Sequence, residues 1–342
     1  MIIKSRFDYE APQTVAHAFE LFQTHKRAAL LAGGSDYVPL LKYGLKNPTR
    51  IIGLDQIDYL GRIEKREQGL FIGAMNRLRG LAENSRVRTH CPALADAARL
   101  VASPQIRNVG TIGGNICQDR RCIYFNQSRF WRQSIAPCFK TGGYICHQKP
   151  RSQTCRAIYY ADLAPVLMAV GARVECYGTQ GFYEVPMAAF IHDHVSRNGG
   201  IQTGSCLVSG FIIPHLPRKA WMRFVKHSVR SSIDFSSVNA AVYCLPPDGE
   251  QTPPKVSVVV GAVAPEVIEL VETRKLIEAQ AAGGDAQKSR WFDAAVAEVS
   301  QKSELIPDSG LSPSARRKAF GVVGLLMEQL HDFFVSQRTT PT

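Results

Sequence analysis

The chain has 342 residues, 45% hydrophobic and 20% charged, with a net charge of +12, the composition of a globular chain of roughly two to three domains. No run of eighteen apolar residues occurs, which argues against a transmembrane helix. Met1–Asp8 lacks an apolar leader core, so no signal peptide is expected and a cytoplasmic chain with reduced thiols is.

From the N-terminus, Val15, Ala18, Phe19 and Phe22 recur at the spacing of a short amphipathic helix. Arg27–Ala32 reads as a buried strand that stops at Gly33-Gly34-Ser35-Asp36, after which Tyr37, Leu40 and Leu41 begin a helix. Strand, glycine turn and helix start together leave backbone N–H groups free to point at a phosphate. The turn has neither G-x-G-x-x-G nor the Lys-Ser/Thr pair of a P-loop. Arg50–Leu54 and Leu70–Ala74 read as strands, with a turn at Asp55–Leu60 between them. Leu78–Ala102 is helical in spacing and split at Cys91-Pro92, because proline cannot continue a helix. A second glycine turn follows, Thr111-Ile112-Gly113-Gly114-Asn115. Two glycine pairs, each trailed by a small polar residue (Ser35, Asn115), suit one ligand with two phosphates.

The stretch running on to Cys155 has neither helical nor strand period. A loop so long within a compact chain is functional or disordered, and its four cysteines favour function. Cys122, Cys138, Cys146 and Cys155 stand as C-x15-C-x7-C-x8-C. Reduced, clustered thiols point to metal or catalysis. Four thiolates can hold a [4Fe-4S] cluster or a closed zinc site, and spacing alone leaves both open, although the close C-x2–4-C pairs typical of zinc are missing. Cys91, Cys117, Cys176, Cys206 and Cys244 lie apart or in apolar runs and read as small buried hydrophobes. Arg120, Arg121, Arg129, Arg132, Lys140, Lys149, Arg151 and Arg156 would surround an anionic cluster and steer an acidic electron donor, or else form a solvated basic surface. Phe130 and Trp131 read either as a shield for such a cluster or as loop anchors. The cations form no stripe along one helix, which argues against nucleic acid.

Beyond Tyr159–Pro165 lies an apolar segment, Val166–Val170, then strands at Gly171–Cys176, Tyr183–Pro186 and Cys206–Ile213. Pro214–Lys219 reads as a domain boundary. Trp221–Lys226, Val238–Leu245 and Lys255–Val263 are strand-like, with a turn at Pro246–Gly249, and helical spacing takes over at Val267–Ala281, Phe292–Val299 and Pro313–Val335.

Three stretches, LLAGGSDYVPLLK, ASPQIRNVGTIGGNI and YYADLAPVLMAVGA, resemble the FAD-binding medium subunit of the molybdenum hydroxylases, the xanthine dehydrogenase family. GGNICQDRRCIYFNQSRFWR, followed by Cys138, Cys146 and Cys155, is similar to the beta subunit of 4-hydroxybenzoyl-CoA reductase, whose inserted loop carries an extra [4Fe-4S] cluster. The resemblance implies an α+β fold: a vanillyl-alcohol-oxidase-type (PCMH-like) FAD-binding domain over 1–216, with subdomains at about 1–56 and 57–216 and the cluster loop at about 117–157. A C-terminal α/β domain, 217–336, would hold a three-stranded antiparallel sheet and helices. Carried over by position, Ala29, Leu30, Leu31, Ala32, Gly33, Gly34, Ser35 and Asp36 would wrap the FAD pyrophosphate. Thr111, Ile112, Gly113, Gly114 and Asn115 would hold it from the other side, with Val101 and Gln118 close by. Asp162 matches a polar contact to the cofactor, and Leu207 and Lys226 match positions at its adenine or isoalloxazine ends. The resemblance moves Cys122, Cys138, Cys146 and Cys155 toward a [4Fe-4S] cluster.

No catalytic acid, base or nucleophile is expected, and His192, His194, His215 and His227 are unclustered. The expected role is electron transfer among an external carrier such as a ferredoxin, the cluster, FAD, and a small 2Fe-2S and a large molybdenum subunit of a heterotrimer. The rivals are a stand-alone FAD oxidase or dehydrogenase and a zinc-stapled, basic nucleic-acid module.

Overall fold

The computed structural model describes residues 3, 6–194, 206–230, 233–247, 252–279, 285–304 and 317–339. Strands β1 (Asp8–Glu10), β2 (Ala28–Leu31) and β3 (Arg50–Gly53) form a parallel sheet in the order β1-β3-β2. Parallel strands of one sheet need crossovers, and helix Val15–Thr24 supplies the one from β1 to β2, on either side of β3. Thr14 caps it by accepting from the His17 N–H at 3.2 Å, and Val15, Ala18 and Phe19 are its buried face, the spacing read from sequence.

The second sheet is antiparallel: β4 (Ile63–Arg66), β5 (Gly69–Gly73), β6 (Arg173–Gly178), β7 (Gly181–Pro186) and β8 (Leu207–Pro214), in the order β4-β5-β8-β6-β7. Strand β4 was not expected. Its Ile-Glu-Lys-Arg sequence has the charge of an edge strand rather than the apolar run of a central one. Strand β5 is buried throughout and β8 nearly so, as befits central positions. Between β5 and β6 the chain runs through helices Leu78–Glu83, Ser85–His90 and Pro92–Leu100, the second glycine turn, and the cysteine loop. The helical run is split at Cys91-Pro92 as expected, and Pro92 opens the next helix, where its missing N–H is not needed. The second glycine turn and the cysteine loop therefore both leave from and return to one sheet.

The third sheet is antiparallel: β9 (Trp221–His227), β10 (Val238–Leu245), β11 (Lys255–Gly261) and β12 (Ile268–Glu269), in the order β12-β11-β10-β9. It has one strand more than expected, the two-residue β12, because helix Val271–Ala279 starts four residues later than the spacing from Val267 suggested. Strand β10 alternates perfectly. Val238, Ala240, Val242 and Cys244 join Trp291, Phe320 and Met327 of the C-terminal helices, while Ala241 and Tyr243 join the core built on the second sheet. On β9, Met222 and Phe224 share that inner face, so period 2 carries Lys226 to it as well. Asp248 and Gly249 of the expected Pro246–Gly249 turn, Gln280 and Ala281 of the expected Val267–Ala281 helix, and Pro313–Arg316 of the last expected helix lie outside the described residues. No helix among the described residues is long and apolar enough to cross a membrane.

Candidate functional site

The first glycine turn leaves β2 toward a cavity of about 460 Å³. Gly34 has φ +71°, a left-handed conformation that favours glycine. A Cβ on Gly33 would land 2.6 Å from the Val109 carbonyl carbon and closer still to its oxygen, so only glycine lets the two segments touch. Among the described residues, no backbone carbonyl accepts from the N–H groups of Gly33, Gly34, Ser35 or Asp36. Successive unpaired N–H groups in a turn form an anion-binding concavity.

The second glycine turn behaves differently. Thr111 caps the short helix Ile112–Ile116 and accepts from the Gly114 N–H at 3.0 Å, while Ile112 N–H donates to Asn76 O at 3.0 Å and Gly113 N–H to Ala74 O at 2.9 Å. Its donors are therefore used inside the chain, and the turn serves as a wall. Gly113 is glycine for packing, since a Cβ there would meet that of Ala74 at 2.8 Å. Asn115 Oδ1 accepts from the Leu163 N–H at 3.2 Å, and the Gln118 amide donates to Asn115 O at 2.7 Å.

A second cavity, about 300 Å³, shares Ser35, Asp36, Thr111, Gly114 and Gln118 with the first. The shared residues form the waist of a two-lobed cleft. Ala29, Leu30, Ala32, Gly33, Gly34, Gly113 and Leu207 line the larger lobe, and Val101, Asn115 and Asp162 the smaller. Of the expected cofactor residues, Leu31, Ile112 and Lys226 line neither lobe, and Ile112 is fully buried in the core. Lys226 acts at second hand. Its ammonium donates to Asp162 Oδ2 at 2.8 Å and to Leu100 O at 3.0 Å. Asp162 Oδ1 accepts from Ser236 Oγ at 2.5 Å and Asn239 Nδ2 at 2.6 Å. This carboxylate is saturated by the chain and ties β9 and β10 to the floor of the smaller lobe.

Sequence reasoning missed Arg27 and Lys46 in the larger lobe and Tyr160 and Phe235 in the smaller; Arg121 was noted only as a loop cation. Arg121 donates to Asp36 Oδ1 at 2.7 Å and lies 4.3 Å over the Phe235 ring. Burial pushes the Asp36 carboxyl up, with Arg121 opposing. The one legible signal was the run of like charge around Arg121.

Cys122 and Cys155 share a small apolar cluster with Phe125 and Ala157, and Gln148 Nε2 donates to Cys122 Sγ at 3.2 Å. Burial pushes both thiols up, and Lys140 acts on each in the opposite sense. Cys146 is buried and acts electrostatically on Cys155, whereas Cys138 is half-buried and accepts from Thr141 Oγ1 at 3.7 Å. Among the described residues, no group of three or more His, Cys, Asp or Glu side chains is arranged to hold a metal ion. Phe130, 87% exposed, and Tyr144, 89% exposed, face solvent, so Phe130 does not cover the thiols. Trp131 instead packs against Tyr124. Cys117 lines the larger lobe beside the glycine turn, its thiol pushed up to about 12 by burial. Cys91, Cys176, Cys206 and Cys244 are buried in the cores as expected. His192 approaches Glu266 and His215 bonds Glu67 O; the two are not clustered with each other, and the His194 side chain lies outside the described residues.

A family profile described as the FAD binding domain in molybdopterin dehydrogenase matches residues 5–216. The aldehyde oxidoreductase FAD-binding subunit PaoB of Escherichia coli (strain K12) is 30% identical over 332 residues, covering 94% of each chain. The carbon monoxide dehydrogenase medium chain of Hydrogenophaga pseudoflava is 40% identical over 116 residues, which span 34% of this chain and 40% of that one. A 6-hydroxypseudooxynicotine dehydrogenase complex subunit alpha of Paenarthrobacter nicotinovorans is 27% identical and is matched over 62% of its length. The solved carbon monoxide dehydrogenase of Hydrogenophaga pseudoflava superimposes with a TM-score of 0.75 at 22% identity, covering 97% of this chain and 99% of that one. At that identity the likeness speaks for the fold alone, which is the PCMH-type FAD-binding architecture followed by a small antiparallel sheet with helices.

Proposed function

We infer, because this chain belongs to the family of FAD-binding domains of molybdopterin dehydrogenases, that it is the flavin subunit of a multi-subunit molybdenum-dependent oxidoreductase. The observation that carries this reading is the two-lobed cleft whose waist abuts the four unpaired N–H groups of Gly33–Asp36. A ligand with a diphosphate between two ring systems fits that shape. Ala29–Asp36 would hold its pyrophosphate, Thr111–Asn115, Val101 and Gln118 would wall it in, and Leu207 and Asp162 would bound its two ends. Lys226 and Ile112 would act as supports behind that surface. FAD, when bound, supplies one- and two-electron transfer, so no acid or base of this chain is required. The domain limits we propose are 1–216 for the flavin domain, with subdomains at about 1–56 and 57–216, and 217–336 for the C-terminal domain.

The loop at about 117–157 is proposed to carry a [4Fe-4S] cluster on Cys122, Cys138, Cys146 and Cys155, as in a 4-hydroxybenzoyl-CoA reductase-like assembly. Supporting this are the burial of three of the four thiols and the buried cation Lys140 beside them. From Arg120 to Arg156 there are eight Lys or Arg and no Asp or Glu. The Arg120 and Lys140 side chains are buried, but Arg129, Lys149 and Arg151 are exposed, and with the exposed Phe130 and Tyr144 they suit an acidic electron carrier such as a ferredoxin. The remaining partners would be a small 2Fe-2S and a large molybdenum subunit.

The test is an absorption spectrum with flavin, iron and sulfide analysis on protein purified without oxygen. Bound flavin with about four iron atoms per chain is expected, the content of one such cube. Protein with flavin and no iron would overturn the cluster; protein that takes up no flavin would overturn the whole reading.

A further inference from the structure

The cleft holds an electrostatic contradiction. Asp36 places a carboxylate at the waist, where a diphosphate would bring two more negative charges, and Asp119 lies close enough to raise the Asp36 carboxyl further. Lys46, the cation of the larger lobe nearest Asp119, is engaged with it at 3.6 Å. Arg27 is tied to the Asn47 carbonyl. Arg121 is the cation that meets Asp36 directly, at 2.7 Å, from across the waist.

Arg121 is also held in place from behind. Its backbone N–H donates to Ile158 O at 3.1 Å, and its guanidinium rests over Phe235, which itself packs on Tyr160. It adjoins Cys122, so the cysteine loop also lines the smaller lobe of the cleft. We propose that Arg121 is a cofactor-positioning residue of the cleft: it neutralises Asp36, so that the waist accepts a diphosphate. This rests on the reading of the cleft as an FAD site. An arginine suits the task because its guanidinium stays charged and its planar fork holds a carboxylate in a fixed geometry.

The test is a double-mutant cycle on the full chain, purified with any accompanying subunits and freed of flavin, titrated with FAD by fluorescence quenching. Arg121→Gln is expected to weaken FAD binding about tenfold to a hundredfold, the range for a charge-assisted hydrogen bond. In an Asp36→Asn background the same substitution should cost no more than about threefold, because no carboxylate is left to neutralise. Equal cost in both backgrounds, or no cost in either, overturns the proposal. Thermal melts are recorded alongside. Should Arg121→Gln be too unstable to titrate, Arg121→Met, which also removes the charge, replaces it in both backgrounds, and equal cost again overturns the proposal. If the parent chain takes up no FAD, the cleft reading has failed instead, and that result is distinct.

Discussion

Gly33→Ala is the sharpest perturbation of the cleft. The added Cβ would stand 2.6 Å from the Val109 carbonyl carbon, whereas ordinary contact begins near 3.4 Å, so the two segments must part by roughly 0.8 Å or more. The obstacle is backbone on both sides, and no side chain can swing away. Overpacking of this kind costs about 1–3 kcal/mol, and the rigidity of the neighbours puts this case at the upper end. The same displacement moves the unpaired N–H groups of Gly33–Asp36 relative to the wall at Thr111–Gly114. Losing one or two charge-assisted bonds to phosphate lowers affinity about tenfold to a thousandfold. The assay pairs FAD titration of the deflavinated chain with thermal unfolding. Gly44→Ala is the control: Gly44 has φ +65° and open space around its missing Cβ. It should cost about 1–2 kcal/mol from backbone strain and leave FAD affinity unchanged. If Gly33→Ala bound FAD as tightly as the parent, or if both alanines weakened binding equally, the close approach of the two segments would have no role in the site.

Lys226→Met leaves Asp162 with two neutral donors in a site where both charged side chains are 6% exposed. Denaturant unfolding should show a loss of about 3–5 kcal/mol, and adding Asp162→Asn should recover part of it. Cys138→Ser is expected to remove iron while leaving most of the FAD, read by metal analysis and absorbance; loss of both together would mean that the loop is needed for folding. Burial alone would raise the Glu298 carboxyl, but Lys302 at 2.7 Å and the Thr273 and Glu272 N–H groups outweigh it and hold it below the usual range. A depressed carboxylate stabilises above its unfolded pKa and loses that contribution as pH falls through its folded one. Glu298→Gln should therefore be less stable than the parent by about 1–3 kcal/mol at neutral pH, with the gap closing in acid; a gap independent of pH would refute the assignment.

Much of this protein follows from local pattern. The helix at Val15–Thr24, the strand leading into Gly33-Gly34, the Cys91-Pro92 break and the β-branched Lys255–Gly261 strand all match what periodicity and turn chemistry dictate, because each is decided within a few residues. Strand β4 escaped notice because an edge strand need not be apolar, and β12 because two residues carry no period. The glycine turns were legible as turns, yet identical-looking sequences took different roles: one keeps its N–H groups free, and the other consumes them on Asn76 and Ala74. That division depends on which segment lies opposite, and the partners are scores of residues away in sequence for the first turn. Asp162 likewise matched a cofactor contact only through the family resemblance. Only the packing of β9 and β10 against its helix-bearing neighbour brings Ser236, Asn239 and Lys226 to its two oxygens. Short-range chemistry thus determined where this chain turns, while long-range packing decided which polar groups remain unspent, since a hydrogen bond made across the fold leaves no mark in local sequence.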